Sequence, residues 1–274
     1  MKNLLVGVAL LASAAFGGTA PIYRVEFKTS EYAGTTALAG FPVAVRLSEN
    51  SPAGFDYAKC AVDGSDLRFG SADGSVAYPH EIETWNPKGE SIVWVRLPEL
   101  GDAETTFAMT FGGADGSAPP VASVWSGASG ANYAAVWHYG DVSRSGDANA
   151  VDSAQGLVAA VSGTARRCPA VSSPVGQGAT CWCPSTQSVS SFLVDGWKSL
   201  GVAGDMTVST WIKMPTNAYY SNGLRVIGQS EQEWNSDSSW MIQLQSATKV
   251  RVYGSSKSAD FTIPDVSADW VHLV

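Results

Sequence analysis

The residues best suited to chemistry in this chain are the alternating glutamates of the run His80-Glu81-Ile82-Glu83-Thr84-Trp85. Successive side chains of a β-strand alternate between its two faces, so Glu81, Glu83 and Trp85 would share one face. Two carboxylates beside an aromatic ring are what glycoside hydrolysis uses, with one carboxyl as the acid and the other as nucleophile or base. Glu81 and Glu83 are therefore the candidate catalytic residues.

The turn after this run decides what the glutamates face. Asn86-Pro87-Lys88-Gly89 suits a type I turn, with Pro second and Gly fourth. In one register of the resulting hairpin the glutamates share a face with Trp94 and Arg96. In a bulged register, shifted by one residue, they lie beside Val93 and Val95. Apolar matching favours the first register, whereas turn chemistry alone slightly favours the second.

Two non-catalytic interpretations compete with hydrolysis. The favoured one is a surface ion pair between the glutamates and Arg96, worth about 0–1 kcal/mol. The second is a sugar-contacting face, in which Trp85 and Trp94 stack on sugar rings and the carboxylates bind hydroxyls.

Short runs rich in β-branched and aromatic residues dominate the chain, and Gly, Pro, Asp and Ser separate them. No window shows a sustained helical period. The pattern predicts an all-β chain with two β-sandwich (jelly-roll) domains. Strands are predicted at 23–28, 41–47, 91–97, 105–111, 134–139, 206–213, 224–229, 240–244, 249–253 and from 270 onward.

The first twenty residues are typical of a signal peptide. Lys2 precedes an apolar run over 4–16, and small residues follow at 18–20. Without Lys2 the chain has 17 − 1 = 16 basic and 25 acidic residues, a net charge of −9. This balance and the lack of a basic run argue against nucleic acid and anionic membranes as partners. No later segment has the roughly 18 apolar residues of a transmembrane helix. The sequence predicts an exported protein, extracellular, on the cell surface or in the periplasm.

A Gly-, Ala- and Pro-rich segment divides the rest of the chain. It predicts a first domain over 21–111, a linker over 112–123 and a second domain over 124–274. The last six residues have the pattern of a strand that no turn or polar tail follows, so we expect the chain to be a fragment of a longer protein.

The four cysteines are Cys60, Cys168, Cys181 and Cys183. Export permits disulfides, and we expect Cys168 to pair with either Cys181 or Cys183. A metal site at Cys-Trp-Cys lacks a second ligand pair nearby.

Two polar loops carry aromatic residues where ligand contact is common. Trp234 lies in the loop 231–237, and Tyr219 and Tyr220 lie in the loop 219–222. These three residues, with Trp85 and Trp94, are the candidate ligand-binding residues.

The first half resembles the bacterial domain-of-unknown-function family 2341. The resemblance covers about residues 38–111, and several blocks occur in the family's order. It implies a large surface or secreted protein, often with sugar-binding modules beside this domain. The matching blocks are Phe41-Pro42-Val43, Val45-Arg46-Leu47, 63–69, 81–85 and Val93-Trp94-Val95.

The second half resembles a laminin-G or concanavalin-A-like jelly roll through 136–138, 152–153, 206–212 and 270–274. The resemblance implies a structural role for His138 and His272. It also implies calcium as a candidate cofactor, with Asp152, Asp195 and Asp205 as candidate ligands.

Laminarinase-type glycosidases share the concanavalin-A-like fold and have a Glu-x-Asp strand with a third acid beyond it. Here the third acid is missing, and the Glu-x-Glu run lies in the other half of the chain. The sequence therefore favours a non-catalytic binding or display module that contacts a glycan or an extracellular protein. The alternatives are a glycoside hydrolase using paired carboxylates and a structural spacer of a long adhesin.

Overall fold

The computed structural model describes twelve stretches of the chain. They are residues 22–30, 32–113, 121–125, 133–140, 149–163, 168, 170–183, 188–194, 205–214, 224–229, 240–254 and 257–274. The predicted signal peptide, most of the predicted linker, Asp195, Tyr219, Tyr220 and Trp234 lie outside the described residues.

The chain is nearly all β, as predicted, and its sheets are antiparallel. In the described parts the helical elements are α1 (Ala122–Trp125) and a 3-10 turn at Tyr57–Lys59. No helix in those parts is long and apolar enough to cross a membrane. The strands are β1 (Tyr23–Lys28), β2 (Leu38–Leu47), β3 (Arg68–Ser71), β4 (Ala77–Tyr78), β5 (His80–Thr84), β6 (Ser91–Leu100), β7 (Thr106–Phe111), β8 (Ala150–Val151), β9 (Val158–Gly163), β10 (Ala170–Ser172), β11 (Gln177–Ala179), β12 (Trp182–Cys183), β13 (Ser188–Val194), β14 (Thr210–Ile212), β15 (Leu224–Gln229), β16 (Trp240–Ser246), β17 (Lys249–Gly254), β18 (Lys257–Thr262) and β19 (Val271–Leu273).

The chain forms two compact units. Unit 1 comprises Met1–Cys181 and Ser190–Val194, and unit 2 comprises Trp182–Val189 and Asp195–Val274. Residues on both sides of the predicted linker at 112–123 therefore belong to unit 1. Trp94 of β6 and Trp125 of α1 lie on either side of that segment, and their rings pack edge to face 5.3 Å apart.

Unit 1 contains a β-sandwich of two sheets, ordered β1-β7-β3-β4 and β2-β6-β5. Its core forms because every second side chain of each strand points into the space between the two sheets. Phe27 of β1, Phe107 of β7 and Val95 of β6 are examples, each at most 2 % exposed. The core is completed by residues of β2, β3 and the loops between strands.

The outer face of β6 is covered as well. Ile92 and Arg96 point away from the sandwich core, yet both are buried. Part of the cover is α1, whose Val124 carbonyl accepts a hydrogen bond of 3.1 Å from Arg96 Nη1. The candidate site lies between this face of the sheet and the segments that cover it.

The remaining described strands of unit 1 form smaller sheets. Strand β9 pairs with β8 and with the end of β13, and β10 pairs with β11. Residues 135–139, predicted as part of a strand, have no strand pairing, so that prediction was wrong. A side chain holds this segment instead, since Asp152 accepts a hydrogen bond from the Val136 amide.

Unit 2 is described through a four-stranded sheet, ordered β15-β16-β17-β18, and through the pairs β14–β19 and β12–β13. Its apolar cluster includes Ile212, Leu244, Val266 and Val271. The strand predicted at 206–213 is shorter than expected, because only Thr210–Ile212 pairs with β19.

Candidate functional site

A bulge in β5 lies at the second of the two glutamates. Glu81 lies opposite Trp94 and Ile82 opposite Val93, which confirms the first of the two predicted registers for this part of the hairpin. The register then shifts between Ile82 and Thr84, so Glu83 occupies the bulge. Glu83 accepts a hydrogen bond from Trp94, the residue opposite Glu81, so both glutamates lie on the outer face of the sheet.

Trp85 does not share the face of the glutamates, so that prediction was wrong. The bulge breaks the alternation, and the Trp85 ring packs on the sandwich core with its centroid 5.1 Å from that of Tyr57. Its indole Nε1 donates a hydrogen bond of 2.9 Å to the Val62 carbonyl. Trp85 therefore packs on the hydrophobic core of unit 1 and is not part of the face that carries the glutamates.

The glutamates are not surface residues. The side chain of Glu81 is 12 % exposed and that of Glu83 is 1 % exposed. The interpretation as a surface ion pair was wrong, because the segment after residue 121 covers this face of the sheet.

His138 lies between the two carboxylates. Its Nε2 is 3.4 Å from Glu81 Oε2, and its Nδ1 is 3.3 Å from Glu83 Oε2. The imidazole stacks on Trp94 at a centroid distance of 5.5 Å and lies 5.1 Å from the Trp125 ring. We call Glu81, Glu83 and His138 the Glu-His-Glu cluster.

Three further side chains donate hydrogen bonds to the carboxylates. Trp94 Nε1 donates to Glu83 Oε2 at 2.5 Å, and Trp125 Nε1 donates to Glu81 Oε2. Ser153 Oγ donates to Glu81 Oε1 at 2.6 Å. Charged acceptors make the strongest of the common hydrogen bonds, so these contacts fasten α1 and the Ser153 turn to β5.

Asp152 positions the segments that supply His138 and Ser153. Its buried carboxylate accepts hydrogen bonds from the amides of Val136 (2.5 Å), Ala154 (2.9 Å) and Gln155 (2.7 Å). The oxygens proposed as calcium ligands are thus engaged by backbone amides. Asp205 is exposed, and the described residues include no group of three or more His, Cys, Asp or Glu that could hold a metal ion.

The hairpin β10–β11 covers Glu83. Its turn residue Gly176 has φ +63°, and a Cβ atom built there would lie 1.8 Å from Glu83 Oε1. Gln177 Nε2 donates a hydrogen bond of 2.7 Å to the carbonyl of Tyr139, itself in a left-handed conformation with φ 61°. Glu83 Oε1 is buried and has no hydrogen-bond partner of good geometry among the described residues.

The two carboxyl groups have pKa values shifted in opposite directions. Burial raises the pKa of Glu83, and the charge of His138 and the hydrogen bond from Trp94 offset this only in part. Burial acts on Glu81 too, but the adjacent His138 imidazole and the hydrogen bonds from Ser153 and Trp125 lower its pKa overall. Oppositely shifted carboxyl groups are the pattern of an acid and base pair.

The geometry does not present that pair to a substrate. The imidazole occupies the space between the carboxylates, and the chain's own donors occupy three of the four carboxylate oxygens. The cluster instead cross-links β5, α1 and the segments around residues 138 and 153.

The shifted pKa values predict opposite effects of pH on the stability of unit 1. Glu83 has a raised pKa in the folded state. As the pH rises above 4.5, the ordinary pKa of a glutamate, the unfolded state loses this proton first, so unit 1 becomes less stable. Glu81, with its lowered pKa, contributes stability above 4.5 that is lost as the pH falls below it. We expect Glu83→Gln to abolish the loss of stability above pH 4.5. We expect Glu81→Gln to abolish the loss of stability below pH 4.5.

Hydrogen exchange of the β6 amides, corrected for its intrinsic pH dependence, measures both slopes in the intact chain. Glu99→Gln is the matched control, because Glu99 is a glutamate that is exposed on β6 and lies outside the cluster. Equal slopes for the wild type and Glu83→Gln above pH 4.5 would contradict the assignment.

The sequence predictions missed His138, Trp125, Ser153 and Gly176 as members or neighbours of the cluster. The available signal was the pair Asp152-Ser153 and a histidine within a largely apolar segment, but neither indicated β5 as the partner. Trp94, predicted to contact ligand, is engaged with Glu83 and His138.

The structure brings Cys168 close to Cys181, one of its two predicted partners. Both are free thiols, and they are hydrogen-bonded to each other. Cys60 is half-buried, and burial together with nearby carboxylates raises its pKa to about 12. A thiol with so high a pKa is a poor nucleophile.

No protein-family model, curated protein or solved structure matches this chain. The resemblances drawn from the sequence motifs therefore stay predictions.

Proposed function

We propose that the protein is an exported, non-catalytic binding or display module of a bacterial surface. One observation carries the non-catalytic part: the paired carboxylates, the best catalytic candidates, are buried and bound by the chain's own donors. A general acid or nucleophile must reach the substrate, and a carboxylate that is 1 % exposed does not. The export of the chain rests on the signal-peptide pattern of residues 1–20.

We propose glycan as the ligand and an extracellular protein as the rival. The laminin-G-like motifs of the second half and the aromatic loop residues Tyr219, Tyr220 and Trp234 support a sugar ligand, because aromatic rings stack on sugar faces. Only 15 % of the residues are charged, so a ligand bound through stacking and neutral hydrogen bonds suits this surface.

Affinity electrophoresis of the intact chain in gels containing soluble polysaccharides tests this proposal. We expect retardation on at least one polysaccharide and its loss in Trp234→Ala. Phe261→Ala is the matched control, because Phe261 is an aromatic residue that is 52 % exposed on β18 and should not affect binding. No retardation on any polysaccharide, with normal folding, would overturn glycan binding and favour the protein partner or the spacer.

A glycoside hydrolase is the second candidate, and the opposite pKa shifts of Glu81 and Glu83 are the observation that favours it. It requires the cover over Glu83 to open. It predicts release of reducing sugar that is abolished both by Glu81→Gln and by Glu83→Gln. If reducing sugar is released and neither substitution changes the rate, the activity resides at another site. If no reducing sugar is released, the binding module remains the proposed function.

A further inference from the structure

The hairpin β10–β11 has a cysteine beside each of its outer ends. Its register pairs Ala170 with Ala179, Val171 with Gly178 and Ser172 with Gln177. Continuing that register outward by two residues places Cys168 opposite Cys181. Directly opposed residues on antiparallel strands have neighbouring Cβ atoms, which agrees with the hydrogen bond between the two thiols.

The other end of this hairpin lies on the Glu-His-Glu cluster. Gly176 lies against Glu83 Oε1, and Gln177 binds the Tyr139 carbonyl next to His138. Arg46 Nη2 donates a hydrogen bond of 2.5 Å to the Pro174 carbonyl. The turn thus covers Glu83 and is fastened to β2 and to the segment of His138. We call residues 168–181 the strap.

The strap is too short to be stable on its own. It has three paired residues on each strand, and an isolated two-stranded hairpin is marginally stable in water at best. Its turn contacts hold one end, so the open end at Cys168 and Cys181 is where a further link would have most effect.

We propose that Cys168 and Cys181 form a disulfide after export and that this bond holds the strap closed over Glu83. Two thiols lose two protons and two electrons as the S–S bond forms. A disulfide oxidant takes up the electrons and protons and is reduced to two thiols; oxidised glutathione is the reagent for this in vitro. The bond restricts the open states of the strap, as a cross-link restricts any loop that it closes. Reduction therefore loosens the cover of the Glu-His-Glu cluster without breaking any contact of the turn itself.

Peptide mapping of the intact chain tests the bond. After incubation with oxidised glutathione we expect a cross-linked peptide that joins Cys168 to Cys181, with Cys60 remaining alkylatable. A bond from Cys168 to Cys183, or no bond, would overturn the proposal. Cys60→Ser is the control variant, and it should form the same cross-link.

Hydrogen exchange of the wild-type chain, oxidised and reduced, tests the effect on the cover and needs no variant. We expect the β11 amides and those of Glu83 and Thr84 to exchange on the order of tenfold faster after reduction. The β6 amides should be unchanged, which separates strap opening from unfolding of unit 1. Cys181→Ser should reproduce the reduced pattern under oxidising conditions. Equal exchange of the β11 amides in both redox states would overturn the coupling, even if the bond forms.

Discussion

Replacing His138 with phenylalanine should lower the free energy of unfolding of unit 1 by about 3–5 kcal/mol at neutral pH. Phenylalanine keeps a ring of similar size against Trp94 and Trp125, so packing is largely preserved. The substitution removes the group that lies 3.4 Å from Glu81 and 3.3 Å from Glu83. Two carboxylates then face an apolar ring in a buried site, and removing one partner of a buried charged group is among the most costly single changes.

Exchange of the β6 amides at neutral pH measures this loss in the intact chain, because β6 is the central strand of the three-stranded sheet. His80→Phe is the matched control in the same strand as the glutamates. His80 is also buried and packs on Phe69 at 5.1 Å, but burial lowers its pKa, so the ring is replaced without loss of a charge. We expect His80→Phe to cost about 1 kcal/mol or less.

A second substitution distinguishes the electrostatic cost of His138→Phe from its packing cost. If the loss in His138→Phe comes from uncompensated carboxylates, adding Glu83→Gln should recover about 1 kcal/mol or more, because one of the two like charges disappears. A His138→Phe variant as stable as His80→Phe would show that the imidazole is not the counter-group of the glutamates.

The strands of the sandwich could be predicted from the sequence because their signal is local. Residues 23–28 alternate between polar and apolar side chains, and the structure has β1 at those residues. The first half of the hairpin was also predictable, since matching Ile82 with Val93 set Glu81 opposite Trp94.

The environment of the glutamates could not be predicted in the same way. The burial of Glu81 and Glu83 depends on a covering segment that begins after residue 121. His138 is 55 residues beyond Glu83 in the chain, and no period or spacing links the two. A sequence pattern identifies residues able to do chemistry, whereas burial by distant segments decides whether they face a ligand.

The segment 134–139 shows a related failure. Its apolar and aromatic residues are typical of a strand, and the prediction rested on that composition. The structure satisfies the Val136 amide with the Asp152 carboxylate at 2.5 Å rather than with a neighbouring strand. Side-chain hydrogen bonds of this kind replace a sheet ladder locally, and they leave no periodic signal in the sequence.

Replacing Gly176 with alanine should destabilise unit 1 by about 3 kcal/mol or more, and two separate costs contribute. A residue with a Cβ at φ +63° costs about 1 kcal/mol. The remainder is steric, because the new Cβ would lie 1.8 Å from Glu83 Oε1, and that carboxylate is buried and held by Trp94.

Gly74→Ala isolates the first of these costs. Gly74 has φ +76° in unit 1 and no atom within 4 Å of a Cβ built there, so its replacement should cost only about 1 kcal/mol. Exchange of the β6 amides measures both variants on one scale.

The steric cost should disappear when the carboxylate is removed. In a Glu83→Ala background, Gly176→Ala should cost no more than Gly74→Ala does, because the obstructing oxygen is gone. If Gly176→Ala costs the same in both backgrounds, the strap does not close on Glu83. A lower cost in the Glu83→Ala background would locate the turn of the strap directly on the carboxylate, and residue 176 must then be glycine because Glu83 is buried beneath it.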